Sequence, residues 1–490
     1  MHQNIELLML NFISHNNKVY MTGIYLSYWQ FWLLLALALW AFIERLLLPS
    51  IRWFFRRKLN RLIETVNLKL DIEIRPFQRT KRKILIDRLV FDAEVMLAVD
   101  EYAKQKDMPR EVVMKKIKRY ANEIVPAFNA YMYYRLGYWL AEKLARWFYR
   151  VKVNIVDKHQ LAKINSNATV VFVMNHRSNM DYILVSFLAS RRTTLSYAVG
   201  EWAKIWPLQS LLRSMGAFFV RRNSRNKLYR KVLERYITMA TREGVCQAMF
   251  PEGGLSKDGK LKPPKLGLLN YMLKNFNYQT DRDIVFIPVG INYDRTLEDR
   301  TLLRALDPDS GRKSAWFALK KTVTFWAKNF RLMWQNKWKN FGFAAVNFGL
   351  PLSAKAYSIE NEVIFKTLSA DERFVQIEAF SKGLFSAVEN VIPMLPMSLI
   401  CRIFLEHGEK AMTALEVKGL AFEKLKQCRE KGVPDLLKSG AWDDAIQVTM
   451  EMLLLRHLLI EKQKLITIVP ENINVIEYYA NACHFYFEKK

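Results

Sequence analysis

The chain has 490 residues, 51% of them hydrophobic, which allows more than one buried core and excludes a wholly disordered protein. Its 75 lysines and arginines outnumber 47 acidic residues, and the formal net charge of +28 indicates an anionic partner: nucleic acid, a lipid surface or a phosphorylated substrate. The sequence has no helix-turn-helix, RNP or zinc-finger pattern, and its basic residues stand beside Trp, Phe and Leu at helical spacing. We therefore expect a membrane surface and no nucleic acid.

An apolar run at residues 24–43 follows the N-terminal segment 1–23 and has the length that a bilayer core requires. Aromatic residues typical of a membrane interface cluster at its start: Tyr25, Tyr28, Trp29 and Trp32. Basic residues follow it: Arg45, Arg52, Arg56, Arg57, Lys58 and Arg61. The pattern predicts an uncleaved transmembrane or membrane-anchoring helix, with the bulk of the protein on the cytoplasmic face of the membrane. Glu44 and Arg45 leave a buried or in-plane helix as the alternative.

Residues 44–150 are basic and predict a mainly helical region. Periodic apolar faces predict helices over 87–104 and 111–124. Residues 128–150 are richer in Tyr, Trp and Arg, and predict a helix that packs on a core or lies along a membrane surface.

Residues 151–350 change pattern and predict an α/β domain, because short apolar runs alternate with helical spans. The predicted strands are 168–174, 195–199, 216–220, 245–250, 284–291 and 343–348. Residues 312–336 form a basic amphipathic pattern with two tryptophans, which suits either core packing or a membrane surface.

Residues 351–490 predict a second helical region. The apolar segment 391–400 is broken by prolines and is too short to span a bilayer. We interpret the scattered His407, His457 and His484 as structural or surface residues. The cysteines of the chain, Cys246, Cys401, Cys428 and Cys483, are far apart without a CxxC pair. This spacing predicts a reducing compartment, no disulfide framework and no zinc site.

The most informative motif begins where the first predicted strand of the α/β domain ends. Asn175 and His176 follow that strand, and Asp181 stands five residues after the histidine, at the head of a new apolar run. This spacing predicts that His176 lies in a strand-to-helix turn, where Asp181 can hold its ring for proton transfer. Ser178 and Asp181 also match a helix capping box, a role that is compatible with holding the ring.

Three further motifs begin in or just after predicted strands. They are 216–222 (GAFFVRR), 250–254 (FPEGG) leading to 265–267 (KLG), and 287–291 (IPVGI). Because loops at one edge of the strands in an α/β sheet converge on one crevice, we expect all four motifs to share a site.

These four motifs, in this order, resemble those of the superfamily of glycerol-3-phosphate and 1-acylglycerol-3-phosphate acyltransferases, and most closely the glycerol-3-phosphate acyltransferases. The resemblance covers about residues 105–350 and continues more weakly towards the C-terminus. It implies a mixed sheet flanked by helices, between helical N-terminal and C-terminal regions. It also implies transfer of a fatty acyl group from acyl-CoA or acyl-carrier protein to the 1-hydroxyl of glycerol 3-phosphate, without a metal or bound cofactor.

The resemblance also implies roles for individual residues. His176 would be the general base, and Asp181 would fix its tautomer and stabilise the imidazolium. Arg221 and Arg222 would bind the acceptor phosphate, with a solvated pair as the alternative. Other residues would complete the acceptor site: Asn175, Ser178, Glu252, Gly253, Gly254 and Lys265. A plain turn is the alternative for 252–254, and the fourth motif is expected to form the pocket wall.

The third motif departs from the pattern of the family, which often continues Gly-x-Arg-Ser. Leu255 stands at the position of that arginine, so Lys257, Lys262 or Lys265 would have to supply the charge. Two alternative functions stay open. One is acylation of 1-acylglycerol 3-phosphate (lysophosphatidate), and the other is a catalytically silent lipid-binding membrane protein with the same fold.

Overall fold

The structure is a computed structural model that describes residues 18–21, 24–42, 75–130, 132–189, 195–200, 208–221, 224–304, 306, 341–408, 410–433, 437 and 440–487. The predicted amphipathic helix at 312–336, the basic residues 45–61 and Arg222 lie outside these ranges. The chain divides into two compact units, Met1–Leu68 and Lys69–Lys490.

The first unit contains an antiparallel hairpin of β1 (Lys18–Met21) and β2 (Ile24–Ser27), followed by helix α1 (Tyr28–Phe42). The helix predicted from residue 24 therefore begins at Tyr28, because Ile24–Ser27 pairs with β1 instead. Apolar side chains of α1 are exposed, with Trp29 at 67% and Trp40 at 68%. Within the ranges that the structure describes, no helix is long and apolar enough to cross a bilayer.

The second unit begins with a helical layer, as predicted. Its helices are α2 (Pro76–Arg79), α3 (Arg82–Val90), α4 (Ala93–Lys106), α5 (Arg110–Ile124), a π-helix (Met132–Gly137) and α6 (Tyr138–Phe148). The single helix predicted over 87–104 is wrong. The chain breaks at Phe91 and Asp92, where the Asp92 carboxylate accepts the N–H groups of Glu94 and Val95 and so begins a new helix.

A mixed sheet forms the centre of this unit. Its strands are β3 (Arg150–Ile155), β4 (Thr169–Met174), β5 (Ser196–Gly200), β6 (Ala217–Val220), β7 (Gln247–Met249), β8 (Ile284–Tyr293), β9 (Phe343–Phe348) and β10 (Leu352–Ser353). The order is β3-β9-β8-β4-β7-β5-β6, with β10 paired to β8. Strands β8, β4, β7, β5 and β6 are mutually parallel. All six predicted strands are confirmed, whereas β3 and β10 were not predicted.

Helices cover both faces of the sheet, which confirms the predicted α/β class. They include α7 (Lys158–Ala162), α8 (Met180–Ala189), α9 (Leu208–Ser214), α10 (Lys227–Arg242), α11 (Gly267–Leu273) and α12 (Asp299–Arg304). Strand β4 shows the two-sided burial: Val171 and Val173 pack with α10, while Val170, Phe172 and Met174 pack with α6 and α8. A central parallel strand is buried on both sides, which explains why its sequence is continuously apolar.

The C-terminal region contains α13 (Ala354–Glu360), α14 (Ala370–Glu389), α15 (Pro396–His407), α16 (Ala414–Glu430), α17 (Ala441–Leu455) and α18 (Ile473–Ala480). Capping boxes begin α14 at Ser369 and α16 at Thr413. The apolar segment at 391–400 is buried and enters α15 at Pro396. A small antiparallel sheet was not predicted: β11 (Met412–Thr413), β12 (Leu459–Lys462) and β13 (Leu465–Ile468).

Candidate active site

The predicted motifs meet at one edge of the central sheet. Because β4, β6, β7 and β8 are parallel, their carboxyl ends lie at the same edge. Asn175 and His176 follow β4, Arg221 follows β6, Phe250 follows β7, and β8 ends at Tyr293. Contacts join the first motif with the third and the fourth at this edge, where α/β proteins bind ligands, and the sharing of one site by all four motifs stays a prediction.

His176 is oriented by Asp181. The Nδ1 atom of His176 lies 2.8 Å from Oδ2 of Asp181, and both side chains are buried. An ionised carboxylate only accepts hydrogen bonds, so Nδ1 carries the hydrogen and Nε2 of the neutral ring keeps its lone pair. Nε2 has no hydrogen-bond partner among the described residues. The ring is thus held in the tautomer that a general base requires.

Aromatic side chains fix the plane of the histidine ring. The ring of Phe250 stacks on His176 with centroids 4.1 Å apart, and Tyr182 meets it edge-on at 5.4 Å. Phe250 belongs to the third motif and directly follows β7. The first and third motifs therefore both contribute to the surroundings of the His176 ring. This packing keeps the ring in the orientation that its hydrogen bond with Asp181 requires.

Asp181 both holds the histidine and caps α8. Its Oδ2 atom accepts the backbone N–H of Arg177 at 2.8 Å and of Ser178 at 3.1 Å, while the Ser178 hydroxyl accepts the N–H of Met180 at 3.1 Å. The positive end of the helix dipole favours a carboxylate at this position. Capping and ring-holding therefore occur together, as the sequence allowed.

The histidine loop, residues 175–179, is also fixed by the side chains of three of its own residues. Asn175 exchanges hydrogen bonds with the backbone of Ile291 in β8, at 2.8 and 2.7 Å. The Ser178 hydroxyl donates to Glu298 at 2.7 Å, and the Asn179 side chain donates to the same carboxylate at 3.0 Å. Burial raises the pKa of Glu298. These contacts give Asn175 and Ser178 a structural role, and their contact with an acceptor stays a prediction.

The turn at 252–254 supports the histidine loop from β7. Glu252 is buried, and its carboxylate accepts the N–H of His176 at 2.7 Å and of Lys262 at 3.1 Å. Burial raises the pKa of Glu252 to about 7, although these backbone donors oppose the shift. Gly253 has φ +68°, and a Cβ there would lie 2.9 Å from Cδ of Lys265. The turn at Glu252, Gly253 and Gly254 therefore also fixes the backbone of His176, through the Glu252 carboxylate.

Arg221 lies at the same edge but is paired with a carboxylate from α5. Its Nε and Nη2 atoms donate to the two oxygens of Glu123 at 2.9 and 2.6 Å. The guanidinium carbon lies 5.1 Å from the ring centre of Tyr120 and 5.0 Å from that of Tyr229, and these two rings contact each other edge-on. The Glu123 contact raises the pKa of Arg221. Arg221 is therefore a fixed cation, and its phosphate-binding role stays a prediction.

Lys262 lies close to Leu255, the residue that stands where the family has an arginine. Its Nζ donates to the carbonyl oxygen of Leu255 at 2.7 Å. An ammonium group therefore lies beside the residue that replaces the arginine, which is one of the substitutions that the sequence suggested.

Residues from the C-terminal region contact the histidine loop and the loop that follows the 252–254 turn, and the sequence did not predict them. The guanidinium of Arg177 lies 4.8 Å from the ring centre of Tyr478, and Asn481 donates to the carbonyl oxygen of Asp258 at 2.9 Å. Tyr293, at the end of β8, donates to Asp181. The two C-terminal pairs are 301 and 223 positions apart, so no local pattern could reveal them, whereas Tyr293 lies just beyond the fourth motif.

The part of the chain that forms this edge is similar to a known protein family. Residues 153–292 match the family model described as Acyltransferase, and His176, Asp181, Arg221 and Glu252 lie inside the match. The part of the chain that carries the candidate site is therefore similar to the acyltransferase family.

Individual relatives are similar to a larger part of the chain. A glycerol-3-phosphate acyltransferase of Pseudoalteromonas atlantica is 26% identical over 376 residues, which are 74% of this chain and 43% of that protein. The protein of the same name from Pseudomonas aeruginosa is 31% identical over 304 residues, 60% of this chain and 34% of that protein. The chain thus spans less than half the length of these curated relatives.

One solved structure is also similar, the crystal structure of a 1-acyl-sn-glycerophosphate (LPA) acyltransferase from Thermotoga maritima. It is 16% identical and covers 62% of this chain and 97% of its own, with a TM-score of 0.29. A score of that size does not establish a shared fold.

Proposed function

We propose that this acyltransferase transfers a fatty acyl group from acyl-CoA or acyl-carrier protein to the 1-hydroxyl of glycerol 3-phosphate, giving lysophosphatidate. The observation that carries the proposal is the His176–Asp181 pair at the ligand-binding edge, with Nε2 free to accept a proton. The named activity of the relatives from two organisms supports glycerol 3-phosphate as the acceptor. The donor is a co-substrate, and no resident cofactor is part of the proposal.

The reaction then needs a single acyl transfer. Nε2 of His176 takes the proton of the acceptor hydroxyl while the oxygen attacks the thioester carbonyl. The C–O bond forms, the C–S bond breaks, and the imidazolium returns the proton to the departing thiolate. Asp181 stabilises the imidazolium in between. Backbone N–H groups near the 252–254 turn are suited to stabilise the oxyanion.

The acceptor would bridge His176 and Arg221. Strands β4 and β6 are separated by three strand spacings, which correspond to about 14 Å. A three-carbon phosphate ester would have to fill the gap that the two side chains leave between these ends. The phosphate would share the Arg221 guanidinium with Glu123 or displace that carboxylate.

Membrane association on the cytoplasmic face is part of the proposal. Exposed Trp29, Trp32 and Trp40 on α1, and the net charge of +28, support contact with an anionic lipid surface. We propose that α1 contributes the membrane anchor. Deletion of residues 1–45 should release the protein from membranes in high salt. Retention would contradict this anchor.

The acceptor is tested by supplying purified protein with each donor and each acceptor separately. Faster turnover of glycerol 3-phosphate than of lysophosphatidate is the expected result. Preference for lysophosphatidate would instead support the second-step reaction. If neither acceptor reacts with either donor, the protein is a silent lipid-binding relative and the proposal fails.

A further inference from the structure

We propose that Tyr293 is a positioning residue of this reaction, which acts through Asp181 to set how readily His176 takes up a proton. The Tyr293 hydroxyl donates to Oδ1 of Asp181 at 2.6 Å, a short charge-assisted hydrogen bond. The inference rests on the proposed function, since it concerns the same histidine. It adds a side chain that lies just beyond the fourth motif.

The hydrogen bonds of Asp181 divide between its two oxygens. Oδ2 accepts from the His176 ring and from the N–H groups of Arg177 and Ser178. Oδ1 accepts from Tyr293. Tyr293 and His176 are therefore the side-chain donors to this carboxylate in the described part of the chain. The tyrosine is the one that can be removed without touching the histidine or the main chain.

The surroundings of Tyr293 make it a permanent donor. Its ring is fully buried and packs against Tyr149 with centroids 5.2 Å apart. Burial raises the pKa of the Tyr293 phenol well above its ordinary value, and the neighbouring Asp181 charge raises it further. The hydroxyl therefore keeps its hydrogen wherever an acyltransferase would work.

Other ionisable groups face this pair and bear on any pH dependence. Glu298 follows β8 and accepts hydrogen bonds from Ser178 and Asn179. Glu252 follows β7 and accepts the backbone N–H of His176. Arg177 lies in the histidine loop itself. The phenols of Tyr149, at the junction of α6 and β3, and Tyr182, on α8, pack around Tyr293 and the His176 ring respectively. Of these groups, Tyr149 is the best control for a substitution at Tyr293, because it is also a buried tyrosine.

The physical effect of the Tyr293 hydrogen bond has a definite sign. A donor to the carboxylate draws negative charge away from the oxygen that faces the imidazolium, so it opposes protonation of His176. The same bond fixes rotation of the carboxylate. Its removal should therefore shift protonation of His176 to higher pH and let the ring leave its productive direction.

The experiment compares Tyr293→Phe with Tyr149→Phe in the full chain. Both changes remove one buried phenol oxygen, but the Tyr149 hydroxyl donates to the carbonyl oxygen of Arg295 and not to Asp181. We expect Tyr293→Phe to lower kcat about tenfold with little change in KM, and to move the acid limb of the pH–rate profile up by about half a pH unit. Tyr149→Phe should leave that limb in place. A limb that is unmoved in Tyr293→Phe, or moved equally in both, overturns the inference.

A second measurement separates this inference from the proposed function. The protonation of His176 is followed by NMR in protein labelled at histidine, without substrate, using His176→Ala to assign the signal. A midpoint that rises in Tyr293→Phe supports the inference even if no acceptor is turned over. An unchanged midpoint overturns it even in an active enzyme.

A double variant tests whether the tyrosine acts through Asp181. If it does, Tyr293→Phe should cost little further activity in an Asp181→Asn background, because the two changes remove the same interaction. Independent, multiplied losses would show a general packing role and contradict the proposal.

Discussion

The guanidinium of Arg177 lies 4.8 Å from the centre of the Tyr478 ring, although 301 positions separate the two residues. The Tyr478 hydroxyl also approaches the Arg177 carbonyl oxygen at 3.5 Å. Arg177 is the neighbour of His176, and its backbone N–H donates to Asp181. Helix α18 thus packs directly on the histidine loop, which gives the C-terminal region a role in supporting the active site.

Replacement of Tyr478 by leucine should lower kcat by about tenfold or more, because a desolvated cation–π contact is worth about 2 kcal/mol. Tyr478→Phe keeps the ring and should retain most activity. Steady-state kinetics of both variants provide the measurement, with KM expected to change little. Equal activity of the two variants would show that the ring over Arg177 does not support the loop.

A substitution at Gly259 tests how α18 packs against the loop that contains Gly259. This glycine has φ +87°, and a Cβ there would lie 2.0 Å from the carbonyl oxygen of Tyr478. We expect Gly259→Ala to destabilise the fold by about 1–3 kcal/mol and to reduce turnover. The control is Gly419→Ala in α16, where the added Cβ meets no atom within 4 Å and should stabilise by about 0.5–1 kcal/mol. Thermal unfolding that ranks the variants in the opposite order would contradict the packing described.

Asp294 should make the stability depend on pH. It is buried, accepts the N–H groups of Phe343 and Met397, and burial raises its pKa from 3.8 to about 7. A raised pKa means that the folded state favours the protonated form. Stability from this group is therefore present below about pH 4 and is lost as the pH rises through about 7.

Asp294→Asn should accordingly flatten the fall in unfolding free energy across that pH window. Glu252, whose pKa is also raised to about 7, should leave part of the slope in place. Denaturant unfolding at several pH values measures the slope, which is independent of any uniform loss of stability in the variant. Parallel curves for the variant and the wild type would contradict the assignment.

The Arg221–Glu123 pair makes a prediction about the acceptor. Arg221→Lys should raise the KM for glycerol 3-phosphate about tenfold, because lysine cannot bind a phosphate with two parallel hydrogen bonds. Glu123→Gln should lower that KM by releasing the guanidinium. The matched control is Arg235→Lys, which alters a similar two-bond pair with Asp92 between α10 and the start of α4. Equal effects of the two arginine variants would argue against a phosphate site at Arg221.

The sequence was informative where burial or chemistry leaves a local pattern. The six strands were predictable because central parallel strands are continuously apolar, as β4 shows. The His176–Asp181 contact was predictable because the spacing is local and crosses a single strand-to-helix turn. The break at Asp92 was missed because apolar periodicity continues across it, and only the capping of α4 reveals the boundary.

The remaining features depend on the tertiary fold. The contacts of Glu123 with Arg221 and of Tyr478 with Arg177 join distant segments, so neither partner carries a local signal. Glu298 and Tyr293 follow or end β8, and their contacts with the histidine loop depend on the parallel pairing of β8 with β4. Residues just beyond a motif at a strand end are therefore worth testing even when the motif itself is apolar.

The most direct test of the account is the turnover of His176→Ala with glycerol 3-phosphate and an acyl donor. His159→Ala is the control, because His159 is an exposed histidine in α7, away from the histidine loop. Loss of turnover on the order of a thousandfold in His176→Ala, with His159→Ala unaffected and both variants folded, is the predicted result. If His176→Ala retains turnover within a few-fold of the wild type, the histidine is not the base and the proposed reaction is wrong.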